Sequence, residues 1–199
     1  MHGSLSTGST RGREARRAAA EVLGAWLIVC AVGAAAGLVS AHVRLHLGLP
    51  GHKALVLMTP VVAAAMVLRL PGAAAGGMTA AALVSLAAGG NAIAAAAHLP
   101  LAAMAGGIVD AAVALASRRR AGTAATFALA GLAGLAANMV LLAERLLAPL
   151  YQSHVLLGMP GLGGRAFSYA AFGLASGLAG AVLAAALRWR LSRGERKFT

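Results

Sequence analysis

The chain has 199 residues, of which 60% are hydrophobic, 11% charged and 4% aromatic, and its formal net charge is +12. Soluble domains carry about 25% charged residues, and a water-surrounded core of this size has no room for so much alanine and leucine, so a soluble fold is excluded. The basic balance does not indicate nucleic acid either, because the arginines cluster beside the ends of apolar runs and lack the interleaved aromatic residues on which bases stack.

Several apolar runs approach or exceed the roughly 20 residues that cross a hydrocarbon core of about 30 Å, and the mean hydropathy is +0.81. Residues 1–20 read as a disordered basic tail rich in Ser, Gly, Thr and Arg. The first span, about Glu21 to Val43, is too long for the apolar core of a cleaved leader and is read as retained. It carries Gly33-x-x-x-Gly37 and, on another face, Ala31-x-x-x-Ala35. Small residues four apart let two helices approach closely where lipid removes the hydrophobic drive for association. The single cysteine, Cys30, lies inside this span, so no internal disulfide exists.

A loop with His42, His46, His52, Arg44 and Lys53 leads into the second span, Lys53 to Leu68, which has Pro60 in its interior and closes on the turn Arg69-Leu70-Pro71-Gly72. The third span covers Ala73 to Ala88. Ala92 to Ala97 is too short to cross, and His98-Leu99-Pro100 starts the fourth span, which ends near Ala116 before Arg118-Arg119-Arg120. The fifth runs from Thr123 to Leu147. After a loop with Tyr151, Gln152 and His154, the sixth covers Phe167 to Leu187 and precedes a basic tail.

The expected fold is therefore an all-α polytopic membrane protein with six transmembrane helices: a tail over 1–20, a transmembrane domain over 21–187 and a basic cytoplasmic tail over 188–199. Six spans put both termini on one side. With the termini in the cytoplasm, thirteen of the 17 Lys and Arg residues fall inside and four outside, as the positive-inside rule demands. That orientation places His42, His46, His52, His98 and His154 at the outer face and His2 inside.

Imidazoles ligate several transition metals, so the outer histidines are candidate ligands, with His42 and His46 four apart and on one face if the first span stays helical that far. They are equally what an interfacial loop tolerates. Asp110 falls near mid-bilayer, where an ionisable group is either functional or paired. The second case would be a protonated carboxyl hydrogen-bonded to a neighbouring helix, or a position closer to the cytoplasmic end. Asn138 faces either a ligand or another helix. Gly173-Leu174-Ala175-Ser176-Gly177 has the look of an intramembrane serine-protease motif, but no histidine follows Ser176 to act as base, and a packing seam accounts for it better. No G-x-x-x-x-G-K-[ST] phosphate loop, H-E-x-x-H or C-x-x-C occurs.

Six short Ala- and Gly-rich spans, termini inside, the alanine pair Ala31 and Ala35, and a first outer loop entering Gly51-His52-Lys53-Ala54-Leu55 through Pro50 together resemble the substrate-binding S components of energy-coupling factor (ECF) transporters. The resemblance covers Glu21 to Leu187 in layout. It implies a non-catalytic, multi-pass subunit of a bacterial cytoplasmic membrane, without a cofactor of its own. Such a subunit captures a vitamin or other micronutrient and works with a transmembrane coupling subunit and two ATPases. The implied substrate site gathers His46, His52, His98, Asn138, Tyr151 and His154, and Ala31 and Ala35 form the docking seam. The competing expectation is a membrane metal- or haem-binding protein or enzyme using the outer histidines; the sequence does not identify the metal.

Overall fold

The computed structural model describes residues 7–42, 51–88, 92–151 and 162–195. These form six helices: α1 (Thr7–His42), α2 (Lys53–Leu68), α3 (Ala73–Ala87), α4 (Ala92–Arg118), α5 (Thr123–Tyr151) and α6 (Leu162–Glu195). Stretches in α1, α4, α5 and α6 are long and apolar enough to cross a membrane. The remaining two, α2 and α3, have 16 and 15 residues. At 1.5 Å per residue they are about 22–24 Å long, less than the hydrocarbon thickness.

Three boundaries differ from the sequence reading. Helix α1 begins at Thr7, inside the stretch expected to be a disordered tail, and α6 runs on to Glu195. Arg, Ala and Glu are strong helix formers, so a helix anchored in an apolar segment propagates through them. Helix α4 is continuous from Ala92 and contains Pro100, although Ala92 to Ala97 was expected to stand apart. Proline removes one donor, a loss that alanine-rich flanks and membrane-protein surroundings tolerate.

Helix α2 packs between α1 and α6 and also touches α3, α4 and α5. Met58, Val61 and Val62 are about 1% exposed each, making its middle the centre of the core. The other helices follow around it in the order α1, α3, α4, α5, α6.

Backbone proximity holds the bundle together. A Cβ on Gly33 or Gly37 would strike the carbonyl of Gly77 or Ala81 on α3, and one on Gly134 or Gly177 would strike the facing backbone across α5 and α6. Gly173-x-x-x-Gly177 is thus a packing seam. Ser176, fully buried in it, donates its hydroxyl proton to the Phe172 carbonyl at 2.6 Å.

The turn between α2 and α3 has the expected position. Arg69 takes a left-handed conformation (φ 51°) and donates its backbone N–H to the Ala65 carbonyl at 2.9 Å. Gly72 supplies the second left-handed residue (φ 77°) before α3 starts.

Asp110 is not solitary: it lies level with the start of α3. Its Oδ1 accepts the Ala74 N–H and its Oδ2 the Ala75 N–H, both at 2.9 Å. These are the orphan donors that a Ser or Asp at the N-cap ordinarily takes. The actual N-cap, Gly72, has no side chain to offer, and the carboxyl group comes from α4 instead. Both oxygens serve as acceptors, so the carboxyl is hydrogen-bonded to a neighbouring helix, as one of the two expected readings had it. One turn earlier on α4, Gly106 allows the approach, since a Cβ there would overlap the Ala74 and Ala75 backbone.

Candidate functional site

Two regions concentrate polar groups, one at each end of α2. At its N-terminal end, Gly51 is left-handed (φ 85°), and a Cβ on it would lie 3.1 Å from both the Cα and the ring of Tyr169 on α6. Glycine is needed twice over, for the backbone angle and for the space. The turn delivers His52 against α6, its ring edge-on to Phe172 with centroids 6.5 Å apart and planes at 75°. Tyr169 is buried, and its carbonyl accepts the Asn138 Nδ2–H at 2.6 Å.

Asn138 is 1% exposed, and its Oδ1 has no hydrogen-bond partner among the described residues. An unmatched buried acceptor costs about 1–3 kcal/mol, so this oxygen is where a donor from outside the bundle gains most. Asn138 and His52, two of the residues expected at the substrate site, are thereby linked through Tyr169 and Phe172, which the sequence reading did not single out. Their signal was present in the Phe-Ser-Tyr and Phe172 aromatics that open α6, in a chain with only four Phe and two Tyr.

The remaining expected residues are less assembled. His98 is half-buried in the second turn of α4, and Tyr151 closes α5, its side chain outside the described set. His46 and His154 lie outside the described residues. His42 ends α1, exposed, with Nδ1 2.9 Å from the Leu38 carbonyl, to which it donates in a backbone-capping role. Among the described residues no group of three or more His, Cys, Asp or Glu side chains is placed to hold a metal.

At the opposite end of α2 a cavity of about 290 Å³ opens between α2, α4, α5 and α6. Val62, Val109, Val113 and Leu129 line its apolar part. Arg69, Arg120 and Arg188 line it as well, and no acidic residue does among the described residues. Arg188 donates to the Met66 carbonyl, one of the four that α2 leaves without an intrahelical partner. Its guanidinium is also within electrostatic reach of Arg69.

Arg69 (φ 51°) and Arg120 (φ 47°) are the described non-glycine residues with positive φ. The left-handed conformation costs a side-chain-bearing residue roughly 1–2 kcal/mol. Each follows a helix C-terminus, where glycine is the usual solution. The Ala121 N–H closes the end of α4 on the Ala116 carbonyl at 3.0 Å. This cavity was missed at the sequence level: its arginines served there only to orient the chain, and nothing in their spacing shows that they converge.

Searches against protein-family models, curated proteins and solved structures gave no match. Assignment therefore rests on the geometry and on the resemblance carried by the residues themselves.

Proposed function

We propose that the chain is the membrane-embedded substrate-capture subunit of an ECF-type importer for a vitamin or other micronutrient. It works with a transmembrane coupling subunit and two ATPases in a bacterial cytoplasmic membrane. The observation that supports this best is how α1 divides its small residues. Gly33 and Gly37 face α3, whereas Ala31 and Ala35 are exposed on α1. At 3.6 residues per turn, positions two apart lie about 200° apart around the helix. One face of small residues is thus consumed inside the bundle, and a second, nearly opposite, stays open for a partner helix. The unmatched Oδ1 of Asn138, a residue linked to His52 through Tyr169 and Phe172 of α6, supports ligand capture.

Ala31→Leu and Ala35→Leu test the docking half. Each puts an isobutyl group where close approach is required, so co-purification with the coupling subunit should fall at least tenfold, roughly 1.4 kcal/mol. The variants themselves should fold like the parent, because neither alanine is buried. Unchanged complex formation in both would remove α1 from the interface and with it the main support for the reading.

The same reading has six spans and both termini in the cytoplasm, with α2 and α3 crossing as short helices where the bilayer is locally thinned. In a chain with Cys30 replaced by alanine, a cysteine at Ser192 should stay unlabelled by an impermeant thiol reagent in intact cells, and one at Gln152 should react. Labelling at Ser192 with protection at Gln152 would invert the topology.

A further inference from the structure

We propose that the cavity between α2, α4, α5 and α6 is a binding site for a phosphate-bearing anion, with Arg69, Arg120 and Arg188 as its ligands. The inference is independent of the importer reading, which concerns the other end of α2.

Three observations converge on it. Arg69 at the end of α2, Arg120 in the turn after α4 and Arg188 within α6 line one cavity of about 290 Å³, with no acidic residue among its described lining. Cations brought together without a counter-charge repel one another, and Arg69 and Arg188 are close enough to do so; an anion between them reverses the sign of that interaction. Arg69 and Arg120 are also the two described side-chain-bearing residues in the left-handed region. Strained backbone persists where the surroundings enforce it and clusters at ligand clamps. Here both strained residues place an arginine on the same cavity.

The chemistry of the pocket selects a class. Guanidinium forks match phosphate oxygens in a bidentate way. Below the arginines the walls are Val62, Val109, Val113 and Leu129, which suit an acyl chain rather than water. Basic pockets between transmembrane helices are a recognised setting for anionic lipid headgroups. Ser117 also lines the cavity and supplies a hydroxyl for an ester or glycerol oxygen, whereas the Thr126 hydroxyl is already donated to the Gly122 carbonyl. The phosphate comes either from an anionic phospholipid or from a soluble phosphate ester.

The test uses the full chain, delipidated in detergent. It is titrated with dioleoyl phosphatidylglycerol, with dioleoyl phosphatidylcholine and with glycerol 3-phosphate, and read by thermal unfolding and native mass spectrometry. Phosphatidylglycerol should raise the unfolding temperature and remain bound, with phosphatidylcholine far weaker. The pair Arg69→Gln with Arg120→Gln should weaken that binding by about tenfold or more, the loss expected when charge-assisted hydrogen bonds go. The pair Arg118→Gln with Arg119→Gln removes equal charge from the same end without touching the cavity, and should bind like the parent. Arg188 is left intact because it also caps α2. If the double variant of the cavity does not fold, Arg120→Gln alone carries the comparison, with rescue by Arg120→Lys.

Protection by glycerol 3-phosphate equal to that by phosphatidylglycerol keeps the site and identifies a soluble source; protection by the lipid alone identifies a headgroup. Two results overturn the proposal. One is an equal response to both phospholipids with none to glycerol 3-phosphate. The other is an equal loss in the two arginine pairs, which would reduce the effect to general surface charge.

Discussion

Asp110→Leu should destabilise the purified protein by on the order of 2–5 kcal/mol, because two backbone donors lose their acceptor at once and each unmatched donor costs about 1–3 kcal/mol. The donors are the N–H groups of Ala74 and Ala75, each 2.9 Å from a carboxyl oxygen. Nothing local replaces that acceptor, since Gly72 occupies the N-cap and offers no side chain. Asp110→Asn keeps one acceptor oxygen in place and should cost roughly half as much, comparable to the loss of a single helix cap. Denaturation in detergent measures the totals. Hydrogen exchange localises them: protection should fall first at Ala74 and Ala75 and spread along α3, leaving α5 and α6 unaffected. A leucine variant as stable as the parent would show that water, not Asp110, satisfies the start of α3.

Gly177→Leu should be of similar size and act on the other side of the bundle. A Cβ at position 177 would collide with the Ala130 carbonyl and crowd the Gly131 Cα at 3.0 Å, and both are backbone atoms of a helix that cannot move locally. Helices α5 and α6 must then separate, also loosening the Asn138 hydrogen bond to Tyr169. Overpacking ordinarily costs 1–3 kcal/mol and more where backbone opposes backbone, so a loss of about 3 kcal/mol or greater is expected. Gly107→Leu is the matched control, because nothing lies within 4 Å of a Cβ there. It should be neutral or gain up to about 1 kcal/mol from helix propensity. Equal melting of the two variants would mean that the α5–α6 contact is looser than the glycine seam implies.

Helical class and membrane character were legible before any coordinates, because alternation of long apolar runs with arginine-bearing turns is a one-dimensional signal. So was the turn at Arg69 to Gly72, where proline and glycine punctuate the chain locally. Helix ends were less legible, as α1 and α4 show: amphiphilic or alanine-rich flanks continue a helix whenever its apolar part anchors it, and no residue in Arg13 to Ala20 or Ala92 to Ala97 marks a stop.

Pairings across the bundle were decided by tertiary structure alone. The sequence by itself determined that glycine and alanine recur at helical spacing in α1, α5 and α6, but such spacing is abundant in this chain, and only packing separates Gly33 and Gly37, which meet α3, from Ala31 and Ala35, which stay exposed. It determined that Asp110 sits within an apolar helix; that this carboxyl caps a helix 35 residues away depends on how α4 lies across α3. It placed Arg69, Arg120 and Arg188 near three separate helix ends. Their meeting in one cavity follows from the directions of α2, α4 and α6, a three-dimensional relation that charge counting along the chain cannot contain.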